Sequence, residues 1–236
     1  MMSKLKTMLV LLPGLLNTGR LWQKQVRVLS QDYTLFFAET HHHSSLETTA
    51  EAILSQIPAQ EFALAGFSMG GYVALEIVRQ APNAVTRLAL LNSKAEPDTE
   101  NEQKQRALSL RAAQIGQFIG VTPRLMKRLV HTDQHENSNL HQIVYDMAAE
   151  IGQQGFLNQQ QANMKRKDNR SILKDFQKPT LLLSGQADTI IKAETTFSAQ
   201  KYLPHAKTVL LDKVGHLSPL EAPEATTAAL CDWLKI

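Results

Sequence analysis

The chain has 236 residues, of which 43% are hydrophobic and 20% are charged, the balance of an ordinary globular protein. Its formal net charge of +3 is too small to argue for nucleic acid as a partner. Cys231 is the only cysteine, which excludes an intrachain disulfide and agrees with a reducing compartment.

The first predicted element is a buried strand over Met8–Leu12, which ends at the turn Pro13-Gly14. Two lysines before this apolar run are typical of a signal peptide, but the turn interrupts the run and no small-residue cleavage site follows. No apolar run approaches the roughly 18 residues that a membrane span requires. We therefore expect a soluble, cytoplasmic protein that makes no membrane contact.

Short apolar strands and helix-like patterns alternate after this first strand. Ser44 followed by Glu47 predicts a capping box at the start of the second helix. Strands that are apolar throughout and alternate with helices indicate a mostly parallel sheet with helices on both faces. The further predicted strands cover Tyr33–Ala38, residues 62–66, Val85–Asn92, Pro179–Gly185 and Thr208–Asp212.

The alternation stops between residues 97 and 170, where the sequence contains helix patterns and no predicted strand. Thr122 and Pro123 predict the start of one helix, and apolar residues from Leu140 to Ile151 recur at helical spacing in another. Because structureless loops of this length are uncommon, we expect a helical cap over residues 97–170. The cap is inserted after the strand at 85–92 of one domain that spans residues 1–236.

One sharp turn between a predicted strand and helix carries Gly66-Phe67-Ser68-Met69-Gly70, which matches G-x-S-x-G. Side chains two residues from the serine would collide with the adjoining elements, and glycine has none. The turn holds Ser68 at the carboxyl edge of the sheet, where the Met69 N–H points at an oxyanion formed on a carbonyl. The pattern predicts a nucleophilic serine, although a tight turn that contains serine by chance would match it too.

A nucleophilic serine needs a base, and the base needs an orienting carboxylate. For a turn of this kind, the expected chain order is serine, acid, histidine. Asp188 follows one predicted strand, and His216 lies in the loop after the last one. Because the carboxyl ends of parallel strands meet at one edge of a sheet, both side chains are expected beside Ser68. Asp98, which follows the strand at 85–92, is a rival for the acid.

The loop after the first strand, PGLLNTG, is expected to supply the second oxyanion donor. The backbone N–H of Leu15 is the first candidate, and that of Leu16 is the second. We expect Leu16, Trp22 and Phe67 to line the substrate pocket. Glu221 is expected to hold the loop of His216 or to start the last helix.

Three consecutive histidines, His41, His42 and His43, resemble a run of metal ligands. In the sequence we see no Asp, Glu or Cys at a spacing that supports such a site. We therefore interpret the run as a solvated loop and expect neither a metal nor an organic cofactor. If one of the three contacts a substrate, His43 is best placed, next to the capped helix.

The segments LLPGLLNTGRLW, GFSMGGYVALE, SGQAD and GHLSPLEAPE together resemble the α/β-hydrolase superfamily, and more narrowly its small bacterial single-domain serine hydrolases of the carboxylesterase type. The resemblance covers nearly the whole chain apart from the cap. It implies an α/β-hydrolase fold with Ser68 as nucleophile, His216 as base and Asp188 as acid. Leu15 and Met69 would be the oxyanion donors.

Two features depart from the pattern of that family. The chain begins at what would be the third strand of the family, so we expect about six strands. Pro13 stands where relatives have a histidine, which removes a side chain that supports the loop but no catalytic atom.

The resemblance implies cleavage of a carboxylic ester, thioester or lactone of a small to medium acyl group through an acyl-enzyme. Serine at the turn argues against the dehalogenase and epoxide-hydrolase branches, which use aspartate there. Two alternatives stay open on the same scaffold. One is carbon–carbon bond hydrolysis or lyase chemistry with the same triad, and the other is a receptor-like protein that binds a ligand with little turnover.

Overall fold

The computed structural model describes residues 6–116 and 118–235. Within them, one sheet contains β1 (Thr7–Leu12), β2 (Tyr33–Phe37), β3 (Phe62–Phe67), β4 (Val85–Leu91), β5 (Thr180–Gly185) and β6 (Lys207–Leu211). All neighbouring strands are parallel, and their order is β2-β1-β3-β4-β5-β6. The expected six-stranded α/β fold is confirmed, and the sheet is parallel throughout rather than mostly so.

Helices connect the strands and cover both faces of the sheet. They are α1 (Gln23–Leu29), α2 (Leu46–Gln56), α3 (Met69–Gln80), α4 (Glu100–Ile115), α5 (Pro123–Leu129), α6 (Ser138–Met164), α7 (Arg170–Asp175), α8 (Ala193–Ser198), α9 (Ser218–Glu221) and α10 (Pro223–Lys235). Short 3-10 turns lie at Gly19–Trp22, Thr132–Gln134 and Ala199–Lys201. The connection from β1 to β2 therefore enters its helix as a 3-10 turn and becomes α-helical at Gln23.

Alternate residues of each strand enter two separate hydrophobic cores, one on each face. In β1, Leu9 and Leu11 belong to the core that α1 and α10 cover. Val10 and Leu12 belong to the other core, beneath α2 and α3. Side chains of a strand alternate between faces, so a strand buried on both sides must be apolar throughout, as these are.

The N-terminus of α2 lies one residue later than the sequence pattern predicts. Ser45 is the N-cap, and its Oγ accepts a hydrogen bond from the Thr48 N–H at 3.2 Å. The predicted capping box from Ser44 to Glu47 is therefore wrong, because Thr48 is the third residue after the cap. Glu47 instead pairs with Lys167 at 2.8 Å.

The strand order changes direction between β1 and β3, because β2 lies outside β1 while β4, β5 and β6 follow β3. At such a switch point, the loops after the two strands diverge to opposite faces and leave a crevice at the carboxyl edge of the sheet. The loop after β1 contains Leu15, and the turn after β3 contains Ser68. The fold thus provides a crevice between these two residues.

Residues 97–170, called the inserted segment below, lie between β4 and β5 and contain α4, α5 and α6; none of their described residues is in a strand. Inside α6, Gly152 has a φ of 65° and is not helical. The long helix is therefore two helical halves that meet at this glycine. Among the described residues, no helix combines the length and the apolar character that crossing a membrane requires.

Candidate active site

The turn from β3 into α3 holds Ser68 in a backbone conformation that non-glycine residues rarely adopt, with φ of 52° and ψ of −118°. A Cβ on Gly66 would overlap the carbonyl of Gly70, and a Cβ on Gly70 would overlap the carbonyl of Leu12. Both glycines are therefore required by close backbone approach. Strain of this kind persists where the surrounding structure over-determines it, and it is frequent at reactive residues.

Three side chains from three different loops form a hydrogen-bonded chain at the carboxyl edge of the sheet. His216 Nε2 lies 3.0 Å from Ser68 Oγ, and His216 Nδ1 lies 2.8 Å from Asp188 Oδ2. All three residues are buried. The structure thus brings together the serine, histidine and aspartate that the sequence predicts, in the geometry that a nucleophile, its base and an orienting acid require.

Asp188 is fixed by donors on both carboxylate oxygens. Its Oδ1 accepts from the N–H groups of Ile190 and Ile191 at 2.8 and 2.9 Å, and its Oδ2 also accepts from Asn92 Nδ2 at 2.9 Å. Burial alone would raise the pKa of Asp188, but His216 and these hydrogen bonds outweigh burial and lower the pKa below its ordinary 3.8. Asp188 is therefore a carboxylate at neutral pH.

Asn92 is a member of this network that sequence reasoning missed. It directly follows β4 and has a φ of 48°, which aims its amide at Asp188 while its Oδ1 accepts from Ser218 Oγ at 2.6 Å. The only signal in the sequence was a polar residue at the end of an apolar strand. Asn92 is therefore the residue after β4 that contacts Asp188. Asp98, the rival candidate for the acid, lies six residues later in the chain and pairs with Arg106 and Arg166.

Glu221 holds the loop that carries His216. Its carboxylate accepts hydrogen bonds from the backbone N–H groups of His131, Gly215 and Leu217 at 2.6 to 3.0 Å. Burial raises the pKa of Glu221, and the three N–H donors offset this only in part. The expected loop-holding role of Glu221 is thus seen in the structure, and it also ties the inserted segment to the histidine loop through His131.

Two backbone N–H groups, of residues that line the same cavity as Ser68, have no protein acceptor among the described residues. One is that of Leu15, in the loop after β1, and the other is that of Met69, the first residue of α3. The first N–H groups of a helix have no intrahelical acceptor, so the Met69 N–H is free to bind an anion. In contrast, the Leu16 N–H donates to Gln159 Oε1 at 3.0 Å. Of the two candidates in this loop, Leu15 is the one with a free donor.

Gln159, on the second half of α6, is a second residue that the sequence pattern did not indicate. Besides accepting from Leu16, its fully buried amide donates to Gly14 O at 3.4 Å and to Thr40 Oγ1 at 3.1 Å. Leu16 has a φ of 58°, an unfavourable conformation for a side chain with a Cβ. Gln159 therefore binds the loop after β1 on both sides of Leu15 and stabilises the positive φ of Leu16.

A cavity of about 150 Å³ opens at Ser68 and His216. Its apolar walls include Leu16, Leu125, Val144 and Ile191, so Leu16 lies where the sequence analysis expects it. The complete described lining is Leu15, Leu16, Asn17, Ser68, Met69, Tyr72, Glu102, Arg106, Val121, Leu125, Leu129, Val144, Asn163, Ile190, Ile191, His216 and Leu217.

The structure places Trp22 and Phe67, the other two predicted pocket residues, outside this described lining. Both are fully buried in the core on one face of the sheet. Phe67 packs behind the site, with its ring centre 5.1 Å from that of His216. The large apolar surface of these aromatic rings explains their position in the core, because burying them contributes strongly to stability.

The histidine run has a carboxylate partner that the sequence analysis overlooked. Glu39, two residues before His41, places its Oε2 at 2.7 Å from His42 Nε2, and ligand atoms of Glu39, His41 and His42 lie within 4.8 Å of one another. Burial and the neighbouring His42 lower the pKa of His41. None of these three residues lies in the described lining of the cavity at Ser68, and neither does His43.

A family model described as the alpha/beta hydrolase fold matches residues 7–223, which is most of the chain. The chain belongs to the α/β-hydrolase family. The family resemblance deduced from the sequence motifs is therefore confirmed, and the residues of the site described above lie within the matched range.

Curated relatives within this family include two bacterial enzymes. The 3-oxoadipate enol-lactonase 1 of Acinetobacter baylyi is 26% identical over 215 residues, which cover 86% of this chain and 79% of the relative. The pimeloyl-[acyl-carrier protein] methyl ester esterase of Nitrosomonas europaea is 26% identical over 233 residues, which cover 92% of this chain and 91% of the relative.

Solved structures of the same fold superpose closely. A thermophilic esterase from Thermogutta terrifontis has a TM-score of 0.88 at 23% identity and covers 98% of this chain and 90% of its own. The enol-lactonase from Burkholderia xenovorans has a TM-score of 0.84 at 19% identity, with coverage of 100% and 94%. At these identities, the likeness establishes the fold.

Proposed function

We propose that the chain is a serine hydrolase that cleaves carboxylic esters, including thioesters and lactones, of small acyl groups through an acyl-enzyme. The observation that carries this proposal is the continuous hydrogen-bonded chain from Ser68 through His216 to Asp188 beside a cavity. Relatives that are named as a methyl ester esterase and an enol-lactonase support ester bonds as the target.

In the proposed first step, Ser68 Oγ attacks the ester carbonyl while His216 Nε2 accepts its proton. Asp188 holds the histidine through Nδ1 and stabilises the cation that forms. His216 then protonates the leaving alcohol, which departs and leaves the acyl group on Ser68. Water, deprotonated by the same histidine, attacks the acyl-enzyme and releases the acid.

We assign to the N–H groups of Leu15 and Met69 the role of donating hydrogen bonds to the carbonyl oxygen as it becomes negatively charged. Both are backbone donors that need no reorientation during the reaction, which is what makes preorganised donors effective. Removing one such donor typically costs on the order of a hundredfold or more in kcat.

We also propose that the inserted segment serves as the cap of this site. Seven of the seventeen described residues that line the cavity come from it. The segment would exclude bulk water and select the acyl group, while the sheet edge carries out the chemistry.

The test is covalent labelling by a fluorophosphonate, read as intact mass, together with hydrolysis of p-nitrophenyl esters of rising acyl length. We expect one adduct on the wild type and none on Ser68→Ala. Ester turnover should fall by several orders of magnitude in that variant. A wild type that neither labels nor turns over esters would overturn the proposal and favour a ligand-binding protein on the same fold.

A further inference from the structure

A second group of polar side chains lines the same cavity as Ser68, and the proposed ester cleavage does not use it. Arg106 of α4 and Asn163 of α6 both contribute to the cavity wall. Asn163 is almost completely buried, and Arg106 is mostly buried, with 19% of its side chain exposed. Buried polar groups in a cavity wall are costly unless they have partners, so their presence calls for an explanation.

Arg106 belongs to a buried charge cluster that holds one carboxylate between two arginines. Asp98 accepts from Arg106 Nε at 2.7 Å and from Arg106 Nη2 at 3.4 Å, and Asp98 Oδ1 lies 2.7 Å from Arg166 Nη2. Lys94 and Glu102 form a further pair beside the cluster. Lys94 neutralises Glu102, which lines the cavity, while Lys94 itself lies outside the described lining. Asp98 neutralises one of its two arginines, so the group keeps one positive charge on Arg106 and Arg166.

Glu96 does not remove this excess from the cavity. Its Oε1 accepts from Ser198 Oγ at 2.6 Å, and it lines a separate outer groove with Lys192 and Glu194. Lys94 lines the same outer groove, and neither Lys94 nor Glu96 is in the described lining of the cavity at Ser68, whereas Arg106 is.

The cluster also has hydrogen-bonding capacity that the described residues leave unused. Arg166 stacks its guanidinium 4.1 Å from the centre of the Tyr72 ring and contacts Asp98 through Nη2, while its Nε and Nη1 have no hydrogen-bond partner among the described residues. Arg166 lies outside the described lining of the cavity. The unpartnered atom of Asn163 is Oδ1, which accepts hydrogen bonds and therefore does not bind an anion. Arg106 uses three of its five N–H groups, two on Asp98 and one on Gln160 at 3.0 Å. Tyr72, Arg106 and Asn163 all face the cavity.

We propose that this wall is an anion-binding subsite and that the substrate is an ester whose acyl chain ends in a carboxylate. The positive charge that Asp98 leaves on its two arginines and the two unused N–H groups of Arg106 match a carboxylate, which accepts up to four hydrogen bonds and pairs with guanidinium groups. The low dielectric of a buried wall strengthens that pairing. The inference rests on the proposed ester cleavage at Ser68 and names its substrate class.

The volume of the cavity limits the length of this acyl chain. A space of 150 Å³ is comparable to a protein cavity that accepts benzene, a molecule of about six non-hydrogen atoms. The acyl groups that fit are those of short dicarboxylic acids, with the ester carbonyl at Ser68 and the free carboxylate at Arg106.

The experiment compares monoethyl succinate and monoethyl glutarate with the same two esters carrying a primary amide in place of the carboxylate. The amide has the same shape and no charge, so the ratio of kcat/KM values reports recognition of the anion. We expect the wild type to favour the carboxylates at least tenfold, the size of one charge-assisted hydrogen bond.

Arg106→Met is expected to lower this ratio at least tenfold, and Arg111→Met, an exposed arginine of the same helix, is expected to leave it unchanged. Arg106→Met leaves Asp98 paired with Arg166, so folding is retained, and circular dichroism and thermal melting check this. A wild-type ratio near one, or equal ratios in the two variants, would overturn the subsite even if neutral esters are cleaved.

Binding to Ser68→Ala separates failure of the subsite from failure of the proposed chemistry. Calorimetry with monoethyl glutarate should detect binding to Ser68→Ala and at least tenfold weaker binding to the double variant with Arg106→Met. If the wild type cleaves no ester but this difference is found, the proposed function fails and the subsite stands. Equal affinities of the two variants would refute the subsite.

Discussion

The two sides of the cavity are built in different ways. At the sheet edge, the groups that would react are held by the backbone of strand ends, with Ser68 and Asn92 both at positive φ and the acid satisfied by donors on both oxygens. The inserted segment instead presents mostly helical side chains, among them the paired charges Glu102 and Arg106 and the unpartnered amide oxygen of Asn163. Substitutions on the cavity-facing side of these helices are therefore expected to alter what is bound, while Ser68, His216 and Asp188 keep their positions.

Changing the acid should have the largest effect, because it acts on the sheet-edge side. Asp188→Asn keeps the shape but removes the charge that orients and stabilises the His216 cation. We expect kcat/KM for p-nitrophenyl acetate to fall about a thousandfold or more. Asp175→Asn, at an exposed aspartate of α7, is the matched control and should match the wild type. A loss below tenfold in Asp188→Asn would contradict the proposed triad.

Gln159→Met tests how far the inserted segment contributes to the chemistry itself. Without its amide, the loop of Leu15 and Leu16 loses two hydrogen bonds, at Gly14 and Leu16, that would position the proposed oxyanion donor, and Thr40 loses a third. We expect kcat for a small neutral ester to fall about tenfold to a hundredfold with little change in KM, as for loss of an interaction made in the transition state. Gln154→Met, exposed on the same helix, should behave as the wild type. A rise in KM at constant kcat would argue against a positioning role.

Glu102 gives a pH test of the charge cluster. Burial opposes its ionisation, but hydrogen bonds from Lys94 and Thr99 outweigh burial and lower its pKa to about 2 from 4.5. The folded protein then holds fewer protons than the unfolded chain between these values, so Glu102 stabilises the fold above pH 4.5 and this stability is lost as the pH falls towards 2.

Urea unfolding at a series of pH values measures this contribution. The difference in unfolding free energy between the wild type and Glu102→Gln should be at its maximum above pH 4.5 and should decrease as the pH falls towards 2. Glu100→Gln, in the same helical turn and exposed, is the control and should show a smaller pH-dependent difference. A pH-independent difference for Glu102→Gln would contradict the assignment.

The smallest expected effect concerns the break in α6. Gly152→Ala forces a side chain into positive φ, although open space surrounds the position. We expect a loss of about 1 kcal/mol in unfolding free energy, with the triad chemistry retained. Gln154→Ala controls for the composition of the helix. An unfolding free energy equal to or above that of the wild type would show that the second half of α6 can realign without the glycine.

The sequence was sufficient to predict the sheet and the residues at its carboxyl edge, because both predictions rested on local patterns. Apolar runs bounded by turns predicted the six strands, and the glycines around Ser68 predicted the turn. Asp188 and His216 each follow a strand in the expected order. Because the carboxyl ends of parallel strands lie at one edge of a sheet, this order was enough to predict that both side chains lie close to Ser68.

The rest depends on contacts between distant segments or on choices between adjacent positions. Gln159 is one of several glutamines in its helix, and nothing local marks it as the partner of Leu16, 143 residues away. Trp22 looked like a pocket residue because aromatic size favours both pockets and cores. The choice of Ser45 over Ser44 as N-cap depends on backbone geometry, because both residues are serines and serine is a favourable N-cap at either position.

The contacts of Gln159 bear on whether the inserted segment can be exchanged as a module. Its neighbour Asn158 donates to the carbonyls of His41 and His42, so two adjacent side chains connect α6 to the loops after both β1 and β2. A chimaera that receives this segment from a relative would lose the hydrogen bonds that support the loop of Leu15, unless the relative supplies equivalent residues. Grafts intended to alter selectivity alone should therefore retain Asn158 and Gln159.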